Sequence, residues 1–243
     1  MIYKKILNNY NKGKKQLALL IDPDKYTSAG LKKTINDANK ANVDFILVGG
    51  SLMFHNHVNV ISHIKSETKI PVILFPGSLL QISPDADAIL FLSLISGRNP
   101  DFLIGNHVVA APLLKKSKIE IIPTGYILVE GGRTTSVEYM SNTKPIPGNK
   151  IDIAVATALA GEMSGHKLIY IEAGSGAEIP VTSEMMTAVK KNIAIPLIVG
   201  GGIRTNDSLK KACKAGADII VIGTAFETNT SSIETFSKII HEF

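Results

Sequence analysis

Apolar residues gather along the chain into eight short runs dominated by Val, Ile and Leu. They are QLALLID (16–22), VDFILVGG (43–50), KIPVILFPG (69–77) and ADAILFLSLIS (86–96), then KIEIIPTGYILV (118–129), HKLIYIEAG (166–174), AIPLIVGGG (194–202) and ADIIVIGTAF (217–226). Most are nearly continuous rather than alternating, as parallel strands covered on both faces should be. The segments between them change period. LKKTINDANKAN and NDSLKKACKAGA place apolar positions three and four apart with Lys between, and IDIAVATALAGEMSG ends at glycine. These read as helices, and SIETFSKIIHEF reads as a closing one. Two segments differ. SLLQISPDADA after the third strand has room for an abbreviated helix only, and EGGRTTSVEYMSNTKPIPGN (130–149) reads as a long loop.

Eight strands alternating with helices predict an α/β chain folded as a single (β/α)8 TIM barrel with a reduced third helix, one domain over 1–243. A doubly wound open sheet is the structural alternative. Composition sharpens this little: 45% apolar and 19% charged residues describe a globular chain. No apolar run reaches the roughly 18 residues needed to cross a bilayer. The lone Cys213 excludes an internal disulfide and, with no signal-peptide pattern, makes the cytoplasm the expected location. The net charge of +5 includes a basic edge at Lys4, Lys5, Lys12, Lys14 and Lys15, read as a solvated face or as an attraction for anionic lipid or an anionic ligand. Trp is absent and other aromatics are few, so stacking surfaces for nucleic acid are poorly supplied and no nucleic-acid partner is expected.

In such a barrel the chemistry sits at the C-terminal strand ends. Three consecutive ends, EAGSG, VGGGIRT and VIGTAFE, are rich in glycine, which lets backbone N–H groups approach an anion, so a phosphate site is expected there. The first strand ends in Asp22, followed by Pro23, Asp24 and Lys25. Asp22 is either a turn-capping carboxylate or a ligand for Mg²⁺, with the Ser51 hydroxyl at the next strand end completing an oxygen-only site beside substrate phosphate. No His or Cys cluster has zinc spacing. His55 and His57, two apart on an expected helix, read as surface residues.

Taken in order, LLIDPDK, ILVGGS, LFPGS, SGRNPDFLIGNH, PTGYILVEGG, YIEAGSGA, VGGGIRT and VIGTAFE resemble the geranylgeranylglyceryl phosphate synthase family from about residue 16 to 226. The resemblance implies a Mg²⁺-dependent prenyltransferase that joins a geranylgeranyl group from its diphosphate to the C3 hydroxyl of sn-glycerol 1-phosphate. Carried over by position, Asp22 and Ser51 would ligate Mg²⁺. Tyr170, Ile171, Glu172, Ala173, Gly174, Ser175 and Gly176 would line the glycerol phosphate, and Gly201, Gly202, Gly223 and Thr224 would hold its phosphate. Glu172 would take the hydroxyl proton or only orient the glycerol. Tyr126 would touch substrate or simply pack in the core. Arg98, Asn99 and His107 would hold the diphosphate or mark a solvated helix start. Some bacterial relatives carry Lys two residues before the first Asp. Leu20 stands there in this chain, so it resembles the other branch, and the resemblance favours a C20 donor. The resemblance also implies a homo-oligomer, and a lipid donor makes a peripheral membrane encounter reasonable. The short third helical segment would open an apolar groove for the prenyl chain. A phosphosugar isomerase or lyase is the alternative activity, and a non-catalytic phosphate-binding scaffold is a third reading.

Overall fold

The computed structural model describes residues 1–53, 57–228 and 232–243, with backbone only at 57–59 and 228. Eight parallel strands close into a barrel in chain order: β1 (Gln16–Ile21), β2 (Phe45–Val48), β3 (Val72–Leu74), β4 (Ala88–Leu94), β5 (Glu120–Leu128), β6 (Leu168–Glu172), β7 (Leu197–Gly200) and β8 (Ile219–Ile222). The helices are α1 (Ile2–Asn11), α2 (Ser28–Lys40), α3 (His57–Glu67), α4 (Asn106–Lys116), α5 (Ser136–Ser141), α6 (Ile151–Met163), α7 (Ser183–Asn192), α8 (Asn206–Lys214), α9 (Thr224–Thr228) and α10 (Ser232–His241). Between β3 and β4 there is only a 3₁₀ turn, Leu79–Gln81, where a full helix would otherwise cover the sheet. Threonines start four of the helices. The hydroxyls of Thr27, Thr135, Thr182 and Thr205 accept from backbone N–H groups of the first turn, satisfying donors a helix leaves free.

Strand alternation divides the apolar side chains into two layers. One face of each strand packs against the helices, through residues such as Leu17, Leu19, Ile46, Ile171, Val199 and Ile220. The other fills the barrel with Ala18, Phe45, Leu90, Ile122, Tyr126, Leu168, Tyr170, Ile198 and Val221.

Two features depart from the sequence reading. The 130–149 segment is not wholly a loop: it contains α5 and pairs back on the sheet at Val129 and Ile146. The N-terminus forms a helix that the sequence reading did not foresee, while Lys4, Lys5, Lys12 and Lys14 stay exposed as a solvated face requires. Ile2 and Ile6 of this helix, α1, belong to the barrel's interior cluster. The carboxylate of Glu120, the first residue of β5, accepts from the N–H groups of Ile2 and Tyr3 at the positive end of the α1 dipole. Lys15 pairs with Asp218 and the Lys5 ammonium reaches the Asp44 carbonyl. The basic edge therefore lies at the N-terminal end of the strands, opposite the mouth where the glycine-rich ends gather.

Candidate active site

The two-residue period that points Leu20 and Tyr170 into the barrel carries Asp22 and Glu172 onto the same side one step higher, at the mouth. Register sets Tyr126 of β5 beside Tyr170 of β6. Their rings meet edge to face at 5.3 Å, and Phe75 stacks on Tyr170 at the same distance. On this aromatic floor the Tyr126 hydroxyl donates to Glu172 Oε2 at 2.9 Å. Glu172 is only 4% exposed. Burial raises its pKa, and the two tyrosines oppose the rise by favouring the anion. Burial, reinforced by the Glu172 charge, pushes both phenols well above their usual value, so they serve as neutral donors. Tyr170 is near enough to influence Glu172, but among the described residues its hydroxyl reaches no acceptor in hydrogen-bond geometry. It needs close backbone above it: a Cβ on Gly200 would lie 2.5 Å from the Tyr170 hydroxyl oxygen.

The same alternation sorts the seven residues from Tyr170 to Gly176. Glu172, Ser175 and Gly176 line the mouth cavity. Tyr170 lies fully buried in the floor, and Ile171 and Ala173 turn outward into the barrel–helix layer, so as side chains these three are core residues. Gly174 contributes backbone in a left-handed conformation, φ +94°. Gly201, Gly202, Gly223 and Thr224 line the cavity beside Ser175 and Gly176, which brings the three glycine-rich strand ends together. Arg204 joins them, its guanidinium donating to the Ala177 carbonyl at 3.0 Å. Sequence reasoning gave this residue no role, although an arginine directly after a glycine triplet places a cation at an anion-binding loop.

Across the mouth, Asp22 is half-buried and Oδ1 accepts from the Asp24 N–H at 3.3 Å, so it caps a 3₁₀ turn, Pro23–Lys25, as the turn-capping alternative requires. It also lines the cavity, as do Ser51, Lys25 and Glu227. Lys25 bridges two acids, 3.7 Å from Asp22 Oδ2 and 3.2 Å from Glu227 Oε1. Burial raises the Asp22 pKa against the pull of the Lys25 ammonium. Among the described residues no three His, Cys, Asp or Glu side chains converge as a metal site. His55 lies outside the described residues, and only the backbone of His57 is described. Burial pushes the Cys213 thiol up to about 11, which leaves it a packing residue.

The cavity, about 290 Å³, has a second, apolar limb. Register explains it. β4 pairs with β5 over seven residues but with β3 over only two, Ala88 and Ile89. Above Ile89 the two strands part, and the cavity is lined by both faces of β4: Leu90, Leu92 and Leu94 from inside, Ile89 and Phe91 from outside. Outside the slit the 3₁₀ turn leaves space, bounded by Leu79 and Ile82 and by Ala110 and Leu114 of α4. Arg98 and Asn99 do not face this space. Their side chains donate to the Gly97 and Ser141 carbonyls, both at 2.7 Å, holding the turn into α4. His107 is in the slit wall, away from both.

A family model described as the PcrB family matches residues 10–240. The chain is 49% identical over 241 residues to a geranylgeranylglyceryl phosphate synthase of Chitinophaga pinensis, covering 99% of this chain and 96% of that protein. It is 50% identical over 240 residues to the protein of the same name from Spirosoma linguale, covering 98% and 96%. Among solved structures it resembles (S)-3-O-geranylgeranylglyceryl phosphate synthase from Thermoplasma acidophilum in complex with sn-glycerol-1-phosphate, with a TM-score of 0.94, 36% identity and coverage of 100% and 99%.

Proposed function

The chain belongs to the PcrB family, and from that premise we propose that it is a prenyltransferase joining a geranylgeranyl group from geranylgeranyl diphosphate to the C3 hydroxyl of sn-glycerol 1-phosphate. The observation that carries this reading is one cavity with two unlike limbs meeting at a buried carboxylate. The glycine-rich ends of β6–β8 suit a phosphate, the slit between β3 and β4 suits a hydrocarbon chain, and Glu172 stands where they join. An isomerase or lyase acting on a phosphosugar would have no use for the apolar limb.

In this reading Gly176, Gly201, Gly202, Gly223 and Thr224 hold the glycerol phosphate through backbone N–H groups, with Ser175 and Arg204 beside them. Glu172 faces the glycerol hydroxyls. Its raised pKa makes it a stronger base than an exposed carboxylate, and the Tyr126 hydroxyl fixes its orientation. The C3 oxygen bonds to the allylic C1 of the donor as the C1–O bond to diphosphate breaks. The hydroxyl proton passes to Glu172, and the electron pair leaves with the diphosphate. Asp22 and Ser51 fit Mg²⁺, because they offer only oxygen atoms and Mg²⁺ is commonly held by one or two protein oxygens plus substrate phosphate. Bound there, Mg²⁺ would neutralise charge gathering on the diphosphate oxygens. The outer faces of α4 and the turn before it expose Ile104, Val108, Val109 and Leu113. This apolar stripe supports assembly with a second copy or contact with the lipid surface that carries the donor. No described helix is long and apolar enough to cross a membrane.

The test is transfer of labelled sn-glycerol 1-phosphate into a butanol-soluble product, with C10, C15, C20 and C35 prenyl diphosphates, with and without EDTA. Product is expected with the C20 donor, abolished by EDTA and lowered at least about 100-fold by Asp22→Ala, the scale of removing an electrostatic stabiliser. Folded protein that binds glycerol phosphate yet transfers no prenyl group would return the choice to the isomerase or scaffold readings.

A further inference from the structure

His107 is an anomaly in the hydrocarbon limb. It is 9% exposed, packed edge-on against Phe91 at 4.4 Å between ring centres, and lines a limb of the cavity walled mainly by Leu, Ile, Ala and Phe. Buried polar groups ordinarily find partners, and a core position here would be filled more cheaply by Leu or Phe. Nε2 lies 3.1 Å from the Ser93 hydroxyl, while Nδ1 is buried without a hydrogen-bond partner among the described residues. Burial pushes the imidazole pKa down, so the ring is neutral at neutral pH. The Leu92 carbonyl is near enough to oppose that shift but outside hydrogen-bond geometry.

Position explains what such a group could do. Ser93 and Leu92 belong to the part of β4 that has lost β3 as a neighbour. On the outer face of that stretch α4 lays His107 against the Ser93 hydroxyl and the Phe91 ring. The imidazole thus lines the cavity from the outer side of β4, beside the outer groove of Ile89, Ala110 and Leu114. We propose that His107, tethered by Ser93, is a specificity-determining residue for the donor: it forms the wall of the passage where the far part of a long prenyl chain leaves the barrel between β3 and β4. This rests on the prenyltransferase reading. A two-unit chain ends before the passage, whereas a four-unit chain runs through it.

The experiment measures kcat and KM for C10 and C20 donors, and KM for glycerol phosphate, in the wild type and in His107→Ala, His107→Gln and Ser93→Ala, with melting temperatures alongside. His107→Ala is expected to raise KM for the C20 donor about tenfold, the scale on which apolar pockets discriminate small changes of volume. The same variant should leave kcat, the C10 parameters and the glycerol phosphate KM within about twofold, smaller than any discrimination an apolar pocket makes. His107→Gln, which keeps a polar partner for Ser93, should recover much of the C20 KM. Ser93→Ala should move it in the same direction by less. If KM for both donors shifts by one common factor, tracking a loss of melting temperature, His107 only holds α4 to the sheet and the proposal falls. It falls equally if neither KM moves. A wild type that forms product with no donor overturns the parent reading and this one together.

Discussion

The two ends of the barrel use the same side-chain chemistry for opposite ends. At the N-terminal end, Asp44, Asp87 and Asp218 stand just before β2, β4 and β8. Each carboxylate accepts from an N–H at the start of the preceding strand: Leu17 at 2.9 Å, Val72 at 2.8 Å and Leu197 at 2.8 Å. The same three residues' own N–H groups donate back to the carbonyls of Leu17, Val72 and Leu197, so each Asp clamps one strand start at two points. Each also has a cation or imidazole: His241, Lys65, and Lys190 with Lys15. The one even-numbered strand without such an Asp is β6, where Lys167 stands instead. Its neighbour across the register is Pro123, which has a carbonyl for the Lys167 N–H but no N–H to give to a carboxylate. At the mouth, Glu172 receives neither a cation nor a backbone N–H among the described residues, only a phenol hydroxyl. Carboxylates that are satisfied build the fold, and one left under-satisfied by burial is available for chemistry.

The largest expected effect tests that contrast at Glu172. Glu172→Gln keeps the size and an acceptor for Tyr126 but removes the base, so kcat/KM should fall roughly 10²- to 10⁴-fold. Stability should move the other way. A native pKa raised above the unfolded one means the folded protein holds the proton more tightly. The stability linked to that proton is therefore full below the unfolded pKa and is lost as pH rises through the native one. The Gln variant, which has no charge to bury, should thus melt above the wild type at pH 8 and lose this advantage towards pH 4. A Gln variant that melts lower at pH 8 would mean the Glu172 anion is well satisfied and the contrast is wrong.

Next in size is the reverse experiment at the other end. Asp218 is 5% exposed, accepts from Leu197, and lies 2.5 Å from Lys190 and 3.5 Å from Lys15. Asp218→Ala leaves a buried N–H without its partner and two ammonium groups uncompensated. The expected cost is about 2–3 kcal/mol, read as a lowered midpoint in urea denaturation with unchanged slope. Activity per folded molecule should stay near wild type, because Asp218 lies at the end of the barrel away from the cavity. A large loss of kcat in folded Asp218→Ala would show that the two ends are coupled.

The strands were legible because β-rich apolar runs are a local signal, and Glu172 was legible because it is the acid in a glycine-rich strand end, where a barrel's mouth lies. The N-terminal helix was not. Its lysines are conspicuous, while Ile2 and Ile6, the residues that bury it, are only two positions in a lysine- and asparagine-rich stretch. Ile171 and Ala173 were grouped with the site because a motif reads as a continuous stretch, whereas a strand points consecutive residues to opposite faces. The slit was foreseen only as a missing helix. Its cause is the parting of β3 from β4, a matter of pairing register, and that is decided by contacts between segments no local pattern records. Likewise, nothing local places the Tyr126 hydroxyl on the Glu172 carboxylate, 46 residues away in sequence.

The smallest effect is the most discriminating. Tyr126→Phe removes the hydroxyl that favours the Glu172 anion and leaves the ring packed against Tyr170 and Phe75. A single such hydrogen bond to a charged group is worth about 1.5–3 kcal/mol, part of which returns when a buried phenol no longer needs a partner. The plateau kcat should therefore drop by about tenfold at most, the lower end of that range. The Glu172 pKa, already raised by burial, should rise further, so the acid limb of kcat/KM against pH moves to higher pH. Asp22 also has a raised pKa and also lines the cavity, so an acid limb by itself identifies neither group. Among the described residues the Tyr126 hydroxyl hydrogen-bonds to Glu172 and not to Asp22. A limb that shifts in Tyr126→Phe belongs to Glu172 and makes it the base. A limb that stays fixed belongs to Asp22, and Glu172 then orients the glycerol without taking its proton.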